Sequence, residues 1–140
     1  MPKKYEILLN FVKDLSSETP DAETYFFVKN NINNYIINID IISKALKNKV
    51  IEVDTKIFFH DKNNNEKKSH FEVTYTSIVK IKEEIKDKKE MEKIILCDVQ
   101  NEIYPKIENI FTSLIKESGF PEIKPGKKID FEKLYNENSN

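Results

Sequence analysis

At 140 residues, with 39% hydrophobic and 34% charged side chains and a formal net charge of −1, the chain is long enough for one core and too apolar to be disordered. The near-neutral balance argues against nucleic-acid binding by bulk electrostatics, and no window approaches the roughly 20 apolar residues that span a bilayer. A single cysteine, Cys97, cannot form an internal disulfide, and MPKKYEILLN lacks the pattern of a secretory signal, so a cytoplasmic protein is expected.

YEILLNFVKDL reads as a first strand, with Tyr5, Ile7 and Leu9 on one parity. It runs into KDLSSETPDAE, a polar, acidic stretch stopped by Pro20. Tyr25, Phe26, Phe27 and Ile32 then fall in a long connection to the next strand. YIINIDI puts Tyr35, Ile37, Ile39 and Ile41 on one face and Asn38 and Asp40 on the other. VIEVDTKIFF alternates most clearly, Ile51, Val53, Thr55, Ile57 and Phe59 against Glu52, Asp54 and Lys56. HDKNNNEKKSH is turn chemistry and predicts a hairpin tip. FEVTYTSIVKI resumes the alternation, with Phe71, Val73, Tyr75, Val79 and Ile81 inward and Glu72, Thr74, Thr76 and Lys80 outward.

After Ile81 the period changes. Ile94, Ile95 and Val99 lead into Ile103, Ile107, Ile110, Phe111, Leu114 and Ile115 at helical spacing, which predicts a helix laid over the sheet. Pro105 removes a backbone donor and predicts a kink or break near Tyr104. Ser118-Gly119 and Pro121 end the helix, PEIKPGKK is a loop, and Asp130 caps a short final helix carrying Phe131, Leu134 and Tyr135. No repeat or linker divides the chain, so one domain is expected over 1–135, with 136–140 as a flexible tail. The fold class is α+β: a four-stranded antiparallel sheet, meander-like with a long crossover after the first strand, covered by a long helix and a short C-terminal one.

Glycines 119 and 126 lie in no phosphate-cradling pattern. His60 and His70 flank the turn and could share a metal with Asp61 or Glu66, but a metal site needs three or four convergent ligands, and none is assigned. Cys97, on the helical stripe with no histidine nearby in sequence, reads as a buried structural thiol. No catalytic residue and no cofactor are expected; the chain does not read as an enzyme. Two features remain. The outward strand positions collect acid at Asp40, Glu52, Asp54 and Glu72, with Asp14 and Glu18 able to join at the edge, although a solvated sheet face also accounts for polarity there. The aromatic crossover either caps the core or lines a surface groove for other chains, which Phe120, Phe131, Leu134 and Tyr135 would complete.

KDLSSETPDAE resembles the N-terminal signature of the SecB family of protein-export chaperones. YIINIDIISKALKNKVIEVDTKIFF is similar to that family's second and third strands, and HFEVTYTSIVKI to its fourth. IYPKIENIFTSLIKESGFPEIKPGKKIDFEKLY is similar to its helix, Gly-x-Pro loop and DF-x-x-LY final segment. Each motif is loose, and their order and spacing over nearly the whole chain carry the likeness. Gln100 stands where the family commonly has proline, and the acidic tail is short. The resemblance implies a cytoplasmic homotetramer, a dimer of dimers with helices between the dimers and sheets outside. Such an assembly holds unfolded preproteins for the ATPase SecA, and binding of nucleic acid or insertion into a membrane is not expected. It also implies SecA docking at Asp14, Glu18 and Glu72, and a client groove at Tyr25, Phe26, Phe27, Ile32, Phe120, Phe131, Leu134 and Tyr135. Two other readings stand beside it. One is a SecB-like chaperone dedicated to an antitoxin of a toxin-antitoxin system; the other is a small-ligand-binding α+β domain, which would need an enclosed pocket.

Overall fold

The computed structural model describes residues 3–82, 85, 87–121 and 130–138. Strands β1 (Tyr5–Glu18), β2 (Tyr35–Ala45), β3 (Val50–Asp61) and β4 (His70–Ile81) form one antiparallel sheet in the order β1-β4-β3-β2. The last three are joined as hairpins because each alternates cleanly, so their apolar rows meet in register: Ile57 pairs with Ile39 on one side and Val73 on the other, and Phe59 with Ile37 and Phe71. Those rows build the inner face, where Val53, Ile57, Phe59, Phe71, Val73 and Val79 are buried.

β1 joins the free edge of β4 and carries two bulges, between Ile7 and Leu9 and between Val12 and Asp14. Each bulge resets which side chains face inward. Tyr5 and Ile7 pair with Ile81 and Val79 on the inner face as their parity predicts, but Leu9 pairs with Ile78 and turns outward. The strand also outruns its sequence reading: KDLSSE is still extended, and Glu18 pairs with His70. Only Pro20 and Asp21 end it.

The crossover is not an open connection. Ala22–Asn31 forms helix α1, started by the Asp21 carboxylate, which accepts from the Thr24 N–H at 2.7 Å, and succeeded by a 3-10 turn over Ile32–Asn34. Its hydrophobic residues are consecutive rather than spaced for one face, which is why periodicity missed it.

Helices α2 (Lys88–Lys93) and α3 (Val99–Glu117) are joined by a π-helical stretch over Ile94–Asp98. The break expected near Tyr104 is absent, since α3 is continuous through Pro105. Pro105, which has no N–H to offer the Asn101 carbonyl, lies with Asn101 on the exposed side, open to solvent, while Ile103, Ile107 and Phe111 hold the helix to the sheet. The irregularity sits about two turns earlier, in the π-helical stretch before α3. Just after it, the Gln100 carboxamide, fully buried, bonds the Thr55 hydroxyl on β3 and reaches back to the carbonyl of Ile95.

α3 ends in a Schellman motif: the Phe120 N–H donates to the Ile115 carbonyl at 3.2 Å and the Gly119 N–H to that of Lys116 at 3.0 Å. Gly119 has φ +94°, a region costly for any other residue. α4 (Phe131–Asn138) is capped by Asp130, whose carboxylate accepts from the Lys133 N–H at 3.0 Å, and it continues past the point where fraying was expected.

Candidate functional site

Two side-chain contacts fix how α3 lies on the sheet. Its Gln100 and Phe111 flank faces β3, through Thr55 and through Phe59 at a ring separation of 5.2 Å. Its other flank faces β1, where the Tyr5 hydroxyl donates to Glu102 at 2.8 Å and Lys3 pairs with the same carboxylate at 3.1 Å. Burial, reinforced by Glu102, pushes the Tyr5 phenol well above its ordinary range, so it stays a donor at any physiological pH.

The helix does not reach far enough to cover β2. Ile37, Ile39 and Ile41 form its inner row, yet Ile37 is 37% exposed and the other two are only partly buried. Phe131 of α4 packs on Tyr104 at 5.3 Å, and the Tyr135 hydroxyl donates to the Lys89 carbonyl at 3.1 Å. Tyr104 lies one turn after Gln100, so α4 and β2 are on the same side of α3.

The eight groove residues named from the sequence are divided by the fold. Tyr25 packs on Phe120 at 4.9 Å and its hydroxyl donates to the Gly119 carbonyl, at the C-terminal end of α3. Phe131, Leu134 and Tyr135 lie toward the N-terminal end. Ile32, Phe120 and Phe131 are buried in the core and present little surface, whereas Phe26 is 63% exposed and Leu134 41%. The sequence pattern places the β2 row on one face without marking it as surface, because alternation reports which face a residue takes and not whether anything covers it.

The outer face carries the acid. Asp14, Ser16 and Glu18 of β1 pair with Thr74, Glu72 and His70, so Asp14 and Glu18 flank Glu72 diagonally and the three acidic positions share one patch. Their settings differ. Asp14 and Glu18 are exposed, whereas Glu72 is ion-paired with Lys56 and lies 3.3 Å from His70. Glu52 and Asp54 are also matched: Lys13 sits at the second bulge and reaches over β4 to both, at 3.1 and 3.0 Å. Burial alone would raise the Asp54 carboxyl, but hydrogen bonds from Thr76 and Lys13 outweigh it and hold the group below the usual range. Hydrogen bonds to Asp54 and then Glu52 raise the Lys13 ammonium in return.

No group of three or more potential metal ligands is assembled among the described residues. Cys97 is buried, and burial raises its thiol further from reactivity. Residues 2–140 match the family described as Preprotein translocase subunit SecB. The chain belongs to the SecB family. SecB proteins are chaperones rather than enzymes. Over 140 residues, all of each chain, this SecB protein is 58% identical to a Pelagibacter ubique protein named "Putative protein-export protein SecB". Its fold is similar to that of the SecB-like chaperone Rv1957 of Mycobacterium tuberculosis, solved with a ChAD peptide from the HigA1 antitoxin. The TM-score is 0.69, at 9% identity over 90% of this chain and 88% of that one. Among the described residues, no helix is long and apolar enough to cross a membrane.

Proposed function

We propose that this chaperone works in the cytoplasm as a homotetramer, a dimer of dimers, that holds unfolded preproteins and delivers them to SecA. The observation that carries the holding step is the uncovered β2 row. Ile37, Ile39 and Ile41, with Phe26, Phe27 and Tyr25 beyond one end of α3 and Leu134 and Tyr135 toward the other, offer an extended chain many small apolar contacts. Ile32, Phe120 and Phe131 serve as the anchors beneath them. Many weak contacts hold a client tightly in sum and still release it stepwise.

Self-association is supported by β1, a 14-residue edge strand with Leu8, Leu9, Phe11, Val12 and Leu15 each 43–52% exposed. A long apolar edge is an aggregation hazard unless another strand or chain covers it. Docking of SecA is assigned to Asp14, Glu18 and Glu72. The export reading is preferred to an antitoxin-dedicated one because the 58% identical relative bears an export name, while the antitoxin-peptide complex is similar in fold alone.

The test is the mass in solution by light scattering, alone, with an unfolded preprotein and with SecA. A tetramer that binds both supports the reading, and a monomer indifferent to both overturns it. Asp14→Lys with Glu18→Lys should abolish SecA binding and spare client holding. These two are chosen over Glu72, whose ion pair with Lys56 makes its replacement structurally costly.

A further inference from the structure

On the polar outer face, Phe58 stands between two histidines. Phe58 on β3 is half-buried there, with the His60 ring at 6.3 Å, the His70 ring at 5.5 Å, both edge-on, and the Lys56 ammonium 4.9 Å from its centroid. The two imidazoles sit within the acidic patch. His70 is the cross-strand partner of Glu18 on β1 and lies 3.3 Å from Glu72 on its own strand. His60 contacts Asn38 of β2 at 2.7 Å and borders the same shallow depression as Asp40. On the turn side, an open cleft of about 340 Å³ is lined by Glu18, Phe58, both histidines, Asp61 and Lys68. The carboxylates facing the rings are therefore Glu18, Asp40, Asp61 and Glu72, and the ammonium groups are Lys56 and Lys68.

We infer that His60 and His70 form a pH-dependent switch on the docking face: protonated, they cancel its negative charge and release a cationic partner. This rests on the docking reading given above. Histidine is the side chain whose charge ordinarily changes between pH 5 and 8. Two new positive charges beside Glu18 and Glu72 compete for the carboxylates a basic partner would use and repel that partner directly. Edge-on packing against Phe58 positions both rings at the patch. The apolar β2 row is on the opposite face of the sheet, so client holding stays pH-insensitive over the same range.

The experiment compares the intact protein with the His60→Gln/His70→Gln double variant at pH 8.0 and pH 5.8 and fixed low salt. Two probes are titrated, purified SecA and an N-acetylated ten-residue oligolysine, whose charge is constant over this range. The affinity of the unaltered protein for both should fall about tenfold or more on acidification, and that of the double variant by less than about threefold. Equal losses in the two proteins overturn the switch and leave the docking reading intact. If SecA fails to bind at pH 8.0 while oligolysine shows the histidine-dependent loss, the switch stands and the assignment of SecA falls. If neither binds at pH 8.0, the face attracts no cation and both readings fall.

Discussion

The Gln100 carboxamide donates to the Thr55 hydroxyl at 2.9 Å, linking the start of α3 to the middle of β3 inside the core. Both residues are fully buried, so neither polar group has water as an alternative partner. Gln100→Leu would take the Gln100 partner from the Thr55 hydroxyl and Thr55→Val would leave Gln100 only its long bond to the Ile95 carbonyl, so each should cost about 1–3 kcal/mol in chemical denaturation. The double variant should cost less than the two added together, because no orphaned polar group remains. Additive losses would show that the two groups do not stabilise each other.

That pair also marks the limit of what the sequence disclosed. Thr55 was readable as inward by alternation, but no local signal announced that Gln100, from a distant helix, would meet it. Strands β2, β3 and β4 were legible because period-two patterning over 11 or 12 residues has one consistent solution. β1 was legible as a strand but not in its facing, since each bulge flips the parity of the residues beyond it, and Leu9 changed sides. For α1 the only readable sign was Asp21 after Pro20, because Tyr25, Phe26, Phe27 and Val28 run consecutively. Asp14, Glu18 and Glu72 share one patch because the β1–β4 register sets Asp14 and Glu18 diagonally about Glu72, a pairing that no local pattern contains. The groove set was scattered because burial of Ile32, Phe120 and Phe131 depends on tertiary contacts no local pattern contains.

The β1 edge gives a test of assembly that leaves the core alone. Phe11 and Leu15 are exposed, on opposite faces of the strand, and pair in register with Thr76 and Val73. Phe11→Glu with Leu15→Lys should reduce the mass measured by light scattering from that of the proposed tetramer to a monomer or helix-paired dimer, with unchanged far-ultraviolet circular dichroism. A tetramer that survives both charges would place the self-interface elsewhere.

Ile39 and Ile41 are the corresponding test of client holding. Both point to the inner face and are only partly covered, so Ile39→Asn with Ile41→Asn removes apolar contact at modest structural cost. Suppression of aggregation of an unfolded preprotein should weaken several-fold while SecA affinity is unchanged, because the acids proposed to dock SecA are on the other face. Unaltered holding by a folded variant would remove the β2 row from the groove.

At the end of α3, Gly119 combines a positive φ with close contact: a Cβ there would lie 3.4 Å from the Tyr25 ring. Gly119→Ala should therefore lower stability by about 1 kcal/mol or more through backbone strain, with additional loss if the Tyr25 ring must shift. Tyr25→Phe, which keeps the ring and removes only the hydroxyl bond to the Gly119 carbonyl, should cost less. If the two costs are reversed, the hydrogen bond rather than the backbone conformation secures this junction.

Acid sensitivity should centre on the β3–β4 turn. Burial would raise the Asp61 carboxyl, but N–H groups of Asn63 at 2.9 Å and Asn65 at 3.0 Å, with the Asn65 carboxamide, outweigh burial and hold it below the ordinary carboxylate range. The unfolded chain, with its Asp near 3.9, then takes up this proton at higher pH than the native one. The resulting stabilisation is complete above about pH 5 and is lost as pH falls through 4 toward the native value. Asp61→Ala should cost about 1–2 kcal/mol at pH 7, comparable to loss of a helix cap, and distinctly less at pH 3. Denaturant unfolding of both proteins across that range reads the difference directly. A gap between them that stays constant with pH would mean the side chain acts by shape rather than by its charge.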